Sequence, residues 1–210
     1  MKNTNLKIVF IIDESGSMNG SESDVIGGFN SFVERQRNEN TDKIIVSMYK
    51  FNTIVSPIIV NEPVEKVKQL NASDYIPGGF TALLDAIGLA IIETDKQISK
   101  ISKELKHEKV MMVIITDGQE NASREYSLEK VKKLISSHEK KQHWDFVFLG
   151  SGLDNFSDAD MLGIKYRASS NKANLKSKFG GISNYFVSYF AENGDNDSEN
   201  MGKLMKDLED

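Results

Sequence analysis

The chain has 210 residues, 39% of them apolar and 27% charged, which fits a soluble globular protein with a real core and excludes global disorder. Its net charge of −5 is carried by residues 191–210, with seven acids and two lysines, while the remainder is balanced, so bulk charge gives no reason to expect nucleic acid as a partner. With no cysteine there are no disulfides and no thiolate metal site. The apolar stretch near the N-terminus is too short for a membrane span and lacks a small-residue cleavage site, so the chain is expected to be cytoplasmic, with no membrane partner.

Leu6 to Ile12 is a short, β-branched apolar run and reads as a strand buried on both faces. Ser21 to Asp24 supply cap and first-turn residues for a helix whose apolar positions are Val25, Ile26, Phe29, Phe32 and Val33. Lys43 to Phe51 is the second strand. It turns at Asn52-Thr53 into Ile54 to Val60, an antiparallel partner that Pro57 places at the sheet edge. A short helix is expected at Val64 to Gln69. Thr81 to about Glu93 is helical, with the pattern continuing towards Leu105, and Val110 to Thr116 is again a buried strand.

An amphipathic helix over Tyr126 to Lys140 leads to a strand at Trp144 to Leu149. Next come a short helix near Asn155 to Met161, an edge strand at Ile164 to Ala168 and a helix from about Lys172 to Phe190, weakened at Gly180-Gly181. This alternation predicts an α/β fold. It is a doubly wound, Rossmann-like open sheet, mostly parallel with one antiparallel edge strand, with helices on both faces and strand order 3-2-1-4-5-6. Residues 1–190 are expected to form the domain and 191–210 an acidic, disordered tail.

The first strand ends in Asp13-Glu14-Ser15-Gly16-Ser17. Alternate residues of an extended segment point the same way, and Gly16 lets the chain turn, so Asp13, Ser15 and Ser17 can converge. One carboxylate and two hydroxyls suit a hard divalent cation, Mg²⁺ or Mn²⁺. Two further segments belong with them. Thr81 follows Gly78-Gly79 where a helix opens, and Asp117-Gly118 ends the strand after Thr116. In the expected strand order the ends at Asp13 and Asp117 are neighbours at the switch point.

Asp-x-Ser-x-Ser, then Thr, then Asp-Gly resembles the von Willebrand factor A domain and its metal-ion-dependent adhesion site, over roughly Leu6 to Phe190. Trp144 to Gly150 and Ile164 to Ala168 look most like stand-alone bacterial and phage members. The resemblance implies that Asp13, Ser15, Ser17, Thr81 and Asp117 hold the cation, and that the cation captures an Asp or Glu carboxylate of a protein partner.

The reading is therefore a binding module and not an enzyme. A Mg²⁺-dependent phosphatase of the haloacid dehalogenase type needs a second aspartate two residues after the first, where Ser15 stands. A serine hydrolase lacks a placed histidine, and no Walker-type loop occurs. A scaffold with an unused site is the remaining alternative. Glu14, Glu120 and Asp85 are read as solvated or supporting acids, the three histidines as solvated, and Trp144 and the Tyr185-Phe186, Tyr189-Phe190 pairs as core.

Overall fold

The structure is a computed structural model and describes residues 6–40, 44–100, 109–140, 143–150, 152–171, 174–192 and 197–209. In chain order the elements are β1 (Leu6–Asp13), α1 (Glu22–Asn40), β2 (Ile44–Phe51), β3 (Val55–Pro63), α2 (Leu83–Ser99), β4 (Lys109–Thr116) and α3 (Leu128–Glu139). They continue as β5 (Trp144–Gly150), α4 (Gly152–Leu162), β6 (Tyr166–Ser169), α5 (Leu175–Ala191) and α6 (Asp197–Glu209), with short 3-10 turns at Gly16–Met18 and Val64–Lys66. The strands form one sheet in the order β3-β2-β1-β4-β5-β6. Every adjacent pair is parallel except β2 with β3. The expected fold class and strand order are what the structure has. The expected continuation of α2 through Ile101 to Leu105 lies outside the described residues.

Alternation along β1 divides the core in two. Leu6, Ile8, Phe10 and Ile12 face α1, α5 and α6, while Val9 and Ile11 face α2 and α3. Phe10 meets Phe29 and Phe32 edge-on, with ring centroids 5.6 and 5.2 Å apart. Both faces of the central strands are covered, which is why their sequences read as unbroken apolar runs rather than alternating ones. Pro57 sits on the edge strand as expected, and shifts of register between β2 and β3 break the regularity of that edge further.

The C-terminal segment corrects the expectation of a disordered tail. Residues 197–209 form α6, which buries Met201, Leu204 and Leu208 against α5 and the sheet. The apolar spacing in an acidic segment is that of an amphipathic helix, and composition had masked it. The Gly180-Gly181 pair also behaves differently from expectation. Helix α5 runs through it without interruption. A Cβ on Gly181 would lie 3.2 Å from Asp207 Cβ and 3.4 Å from Leu208 Cδ2, so this glycine lets α6 approach, whereas nothing lies within 4 Å of the same position on Gly180. Gly180→Ala should therefore stabilise the protein by about 0.5–1 kcal/mol through the helix interior alone. Gly181→Ala should gain less or lose stability. Equal gains in urea midpoint for the two variants would contradict the α5–α6 contact.

Candidate functional site

Parallel pairing carries β1 and β4 to the same edge of the sheet, with Ile12 opposite Ile115, so Asp13 and Thr116 emerge side by side. The Asp13 carboxylate is fully buried and held at both oxygens. Oδ1 accepts the Ser15 N–H at 2.7 Å, and Oδ2 lies 2.6 Å from the Thr116 hydroxyl, which also accepts the Gly118 N–H at 3.1 Å. Ser15 Oγ and Ser17 Oγ are 2.9 Å apart. Burial pushes the Asp13 pKa up, the hydrogen bonds from Thr116 and Ser15 oppose that, and the neighbouring Asp117 charge adds to it.

Thr81 reaches the same point from the loop before α2. Its N–H donates to Asn121 Oδ1 at 2.9 Å, and its carbonyl accepts the N–H groups of Asn121 and Ala122 at 3.0 and 3.2 Å. The convergence is measured best at Gly118. A Cβ built there would lie 2.7 Å from Thr81 Oγ1, 3.1 Å from Ser17 Oγ and 3.2 Å from Asp13 Oδ2. Oxygens from two separate segments thus surround one point that a glycine of a third keeps open. Asp117 lies beside it with Oδ1 buried. The whole forms an open cleft of about 420 Å³ whose lining includes Ser15, Ser17, Thr81, Asp117 and Gly118.

All five sequence-derived site residues therefore sit at one sheet edge. The donors are oxygens alone, two carboxylates among hydroxyls, and that chemistry fits Mg²⁺ or Mn²⁺. Among the described residues no group of three or more His, Cys, Asp or Glu side chains could hold a metal. A cation in this cleft would accordingly depend on the serine and threonine hydroxyls.

The acids set aside in the sequence take the supporting role: Glu14 is buried, and Glu120 and Asp85 are half-buried. Glu14 Oε1 accepts from Lys50 Nζ at 2.9 Å and from the Ile76 N–H at 2.7 Å, binding the 74–78 loop to the end of β1. Glu120 accepts the Leu84 N–H at 2.9 Å and those of Ala122 and Ser123 at 3.0 and 2.8 Å, where the start of α2 leaves backbone donors unsatisfied. Asp85 accepts three successive backbone N–H groups, of Arg124, Glu125 and Tyr126, each within 2.9 Å. These carboxylates lock the loops that present Thr81. Local sequence could not reveal this, because each makes a contact to a segment 36 or more residues away.

Thr116 was likewise missed as the residue orienting Asp13, although its place at a strand end two residues before Gly118 was a usable signal. His138 also departs from the solvated reading. It is buried against Trp144, with Nε2 2.8 Å from Asp95 Oδ2 and Nδ1 2.7 Å from the Leu134 carbonyl, joining α3 to α2. His107 lies outside the described residues.

An open, doubly wound sheet with an oxygen-lined cleft at its switch point is the class of protein that fold and site define. The sequence profile of the von Willebrand factor type A domain matches residues 7–204, and the chain belongs to that family. Its fold is similar to that of the PilB minor pilin from Streptococcus sanguinis, at 13% identity and a TM-score of 0.64, covering 88% of this chain and 61% of that one. It is similar also to a von Willebrand factor type A protein from Catenulispora acidiphila, at 15% identity and a TM-score of 0.58, covering 88% of this chain and 43% of the other. The manganese-loaded TRAP protein of Plasmodium vivax has the same fold, at 15% identity and a TM-score of 0.58, covering 85% of this chain and 74% of that one. The chain thus spans less than two thirds of the pilin and of the Catenulispora protein. A comparison with curated proteins found no match. Among the described residues no helix is long and apolar enough to cross a membrane.

Proposed function

We propose that the protein is a metal-dependent protein-binding module. Asp13, Ser15, Ser17, Thr81 and Asp117 hold a divalent cation, Mg²⁺ or Mn²⁺, and that cation captures an Asp or Glu carboxylate of a partner protein. The observation that carries this reading is the gathering of Asp13, Ser17 and Thr81 oxygens around the point in front of Gly118. Family membership supports it, and so does the manganese-loaded state of the TRAP protein.

The chemistry follows from the donors. Neutral hydroxyls do not cancel the charge of a divalent ion, so a site in which only one of the two carboxylates is in direct contact would keep net positive charge, and a hard cation of this kind keeps exchangeable water positions. In this open cleft such a position would face solvent and be available to a partner's carboxylate. Asp13, fixed by Ser15 and Thr116, supplies negative charge without needing to reorient. Thr81 and Asp117, on separate loops, would complete the set of oxygens that holds the cation beside Asp13, Ser15 and Ser17.

A cation that binds only the folded state stabilises it by RT ln(1 + [L]/Kd), about 2.7 kcal/mol at 100 times Kd. Millimolar Mg²⁺ or Mn²⁺ is therefore expected to raise the melting temperature of the wild type and to leave that of Asp13→Ala unmoved. A melting curve indifferent to both ions in the wild type would sink the metal-site reading.

A further inference from the structure

A second depression of about 440 Å³ lies beside the cation cleft, its lining including Ile54, Val55, Leu89, Ala122 and Arg124. The two share a wall. Thr81 accepts hydrogen bonds from both Asn121, which lines the cleft, and Ala122, which lines the groove. On either side of this wall stand the two large apolar side chains most open to solvent among the described residues, Ile54 at 71% in the groove and Phe80 at 66% in the cleft.

They are held there by an ordered backbone. The Phe80 N–H donates to Thr53 Oγ1 at 3.0 Å and the Ala82 N–H to the Asn52 carbonyl at 2.8 Å. Scattered apolar residues on a surface need no explanation, but a group of them fixed on the rim of a binding cleft marks a contact surface. The groove's polar lining offers no competing chemistry. Asp85 is already engaged by three backbone N–H groups, and the exposed Arg124 and Glu125 carry opposite charges.

We propose that the captured carboxylate belongs to a partner segment with a bulky apolar residue beside its acid, and that this residue seats over Phe80 into the groove along Ile54 and Leu89. The inference rests on the metal-dependent reading above. A cation recognises any carboxylate it can reach, so selectivity has to come from what surrounds it, and here that includes the exposed apolar side chains of Phe80 and Ile54.

The test is selection of phage-displayed peptides with a fixed central Asp and randomised neighbours on the full chain in MgCl₂, beside the same library with a central Asn. Enrichment of Leu, Ile, Val, Met or Phe next to the Asp, lost in EDTA and absent from the Asn library, is the expected result. Selected peptides should bind Ile54→Ser and Phe80→Ser at least tenfold more weakly, while Ile54→Ser keeps its melting response to Mg²⁺. Asp-dependent binding with no apolar preference, or with no loss in these variants, overturns the inference and leaves carboxylate capture standing. Binding that ignores both Mg²⁺ and the Asp overturns both.

Discussion

Gly118→Ala is expected to weaken cation binding at least about 100-fold while leaving the protein folded. Its Cβ would enter the space bounded by Thr81 Oγ1, Ser17 Oγ and Asp13 Oδ2, the nearest of them 2.7 Å away. The glycine does not lie in the left-handed region of backbone space, so alanine imposes no strain of its own. Changes beside metal ligands commonly weaken affinity 10- to 100-fold. A methyl group inside the ligand cage should reach at least the upper end, about 100-fold. Calorimetric titration with MnCl₂, together with circular dichroism of the variant, measures both halves of the expectation. Wild-type affinity in a folded Gly118→Ala protein would mean that the cation, if bound, sits elsewhere.

The second large effect lies at the opposite end of the sheet. Lys109 begins β4, is buried, and places its ammonium between Asp145 on β5 and Asp197 at the start of α6, the latter at 2.5 Å. Tyr185 of α5 donates to the other Asp197 oxygen at 2.6 Å. Burial alone would lower the Lys109 pKa, but the two aspartates outweigh it and hold it above the ordinary lysine value. A raised lysine pKa means that this contribution to stability is complete below the unfolded-state value and disappears only as pH rises through the folded one, in strongly alkaline solution.

Lys109→Met leaves the half-buried carboxylates of Asp145 and Asp197 without the cation they share and should cost about 1–3 kcal/mol at neutral pH. Lys203, exposed beside Glu199, is the control whose loss should leave the urea midpoint in place. An unmoved midpoint for Lys109→Met would mean that this cluster does not hold α6 to the sheet.

Much of the fold was legible because its signals are local. Doubly buried strands such as Val110 to Thr116 announce themselves as β-branched runs, and Pro57 marks the antiparallel edge. The candidate site was legible for a related reason, since its residues stand at the ends of two such strands and at one glycine-rich helix start. What escaped depends on contacts between distant segments. Helix α6 has the right spacing at Met201, Leu204 and Leu208, but its anchor at Asp197 pairs with a lysine 88 residues away. Gly181 looked like a weakness in α5 because its purpose is set by Asp207 and Leu208 across the helix crossing. Glu14, Asp85 and Glu120 resembled surface acids until the backbone donors they satisfy came into view.

The claim on which the account depends is that the cleft in front of Gly118 holds a divalent cation. Crystals grown with MnCl₂ and measured near the manganese absorption edge test it most directly. An anomalous difference peak within ligand distance of Ser15, Ser17 and Thr81, absent from Asp13→Ala crystals, is the result this account requires. An ordered cleft with no anomalous peak at saturating manganese, or a peak bound only by other residues, would contradict it.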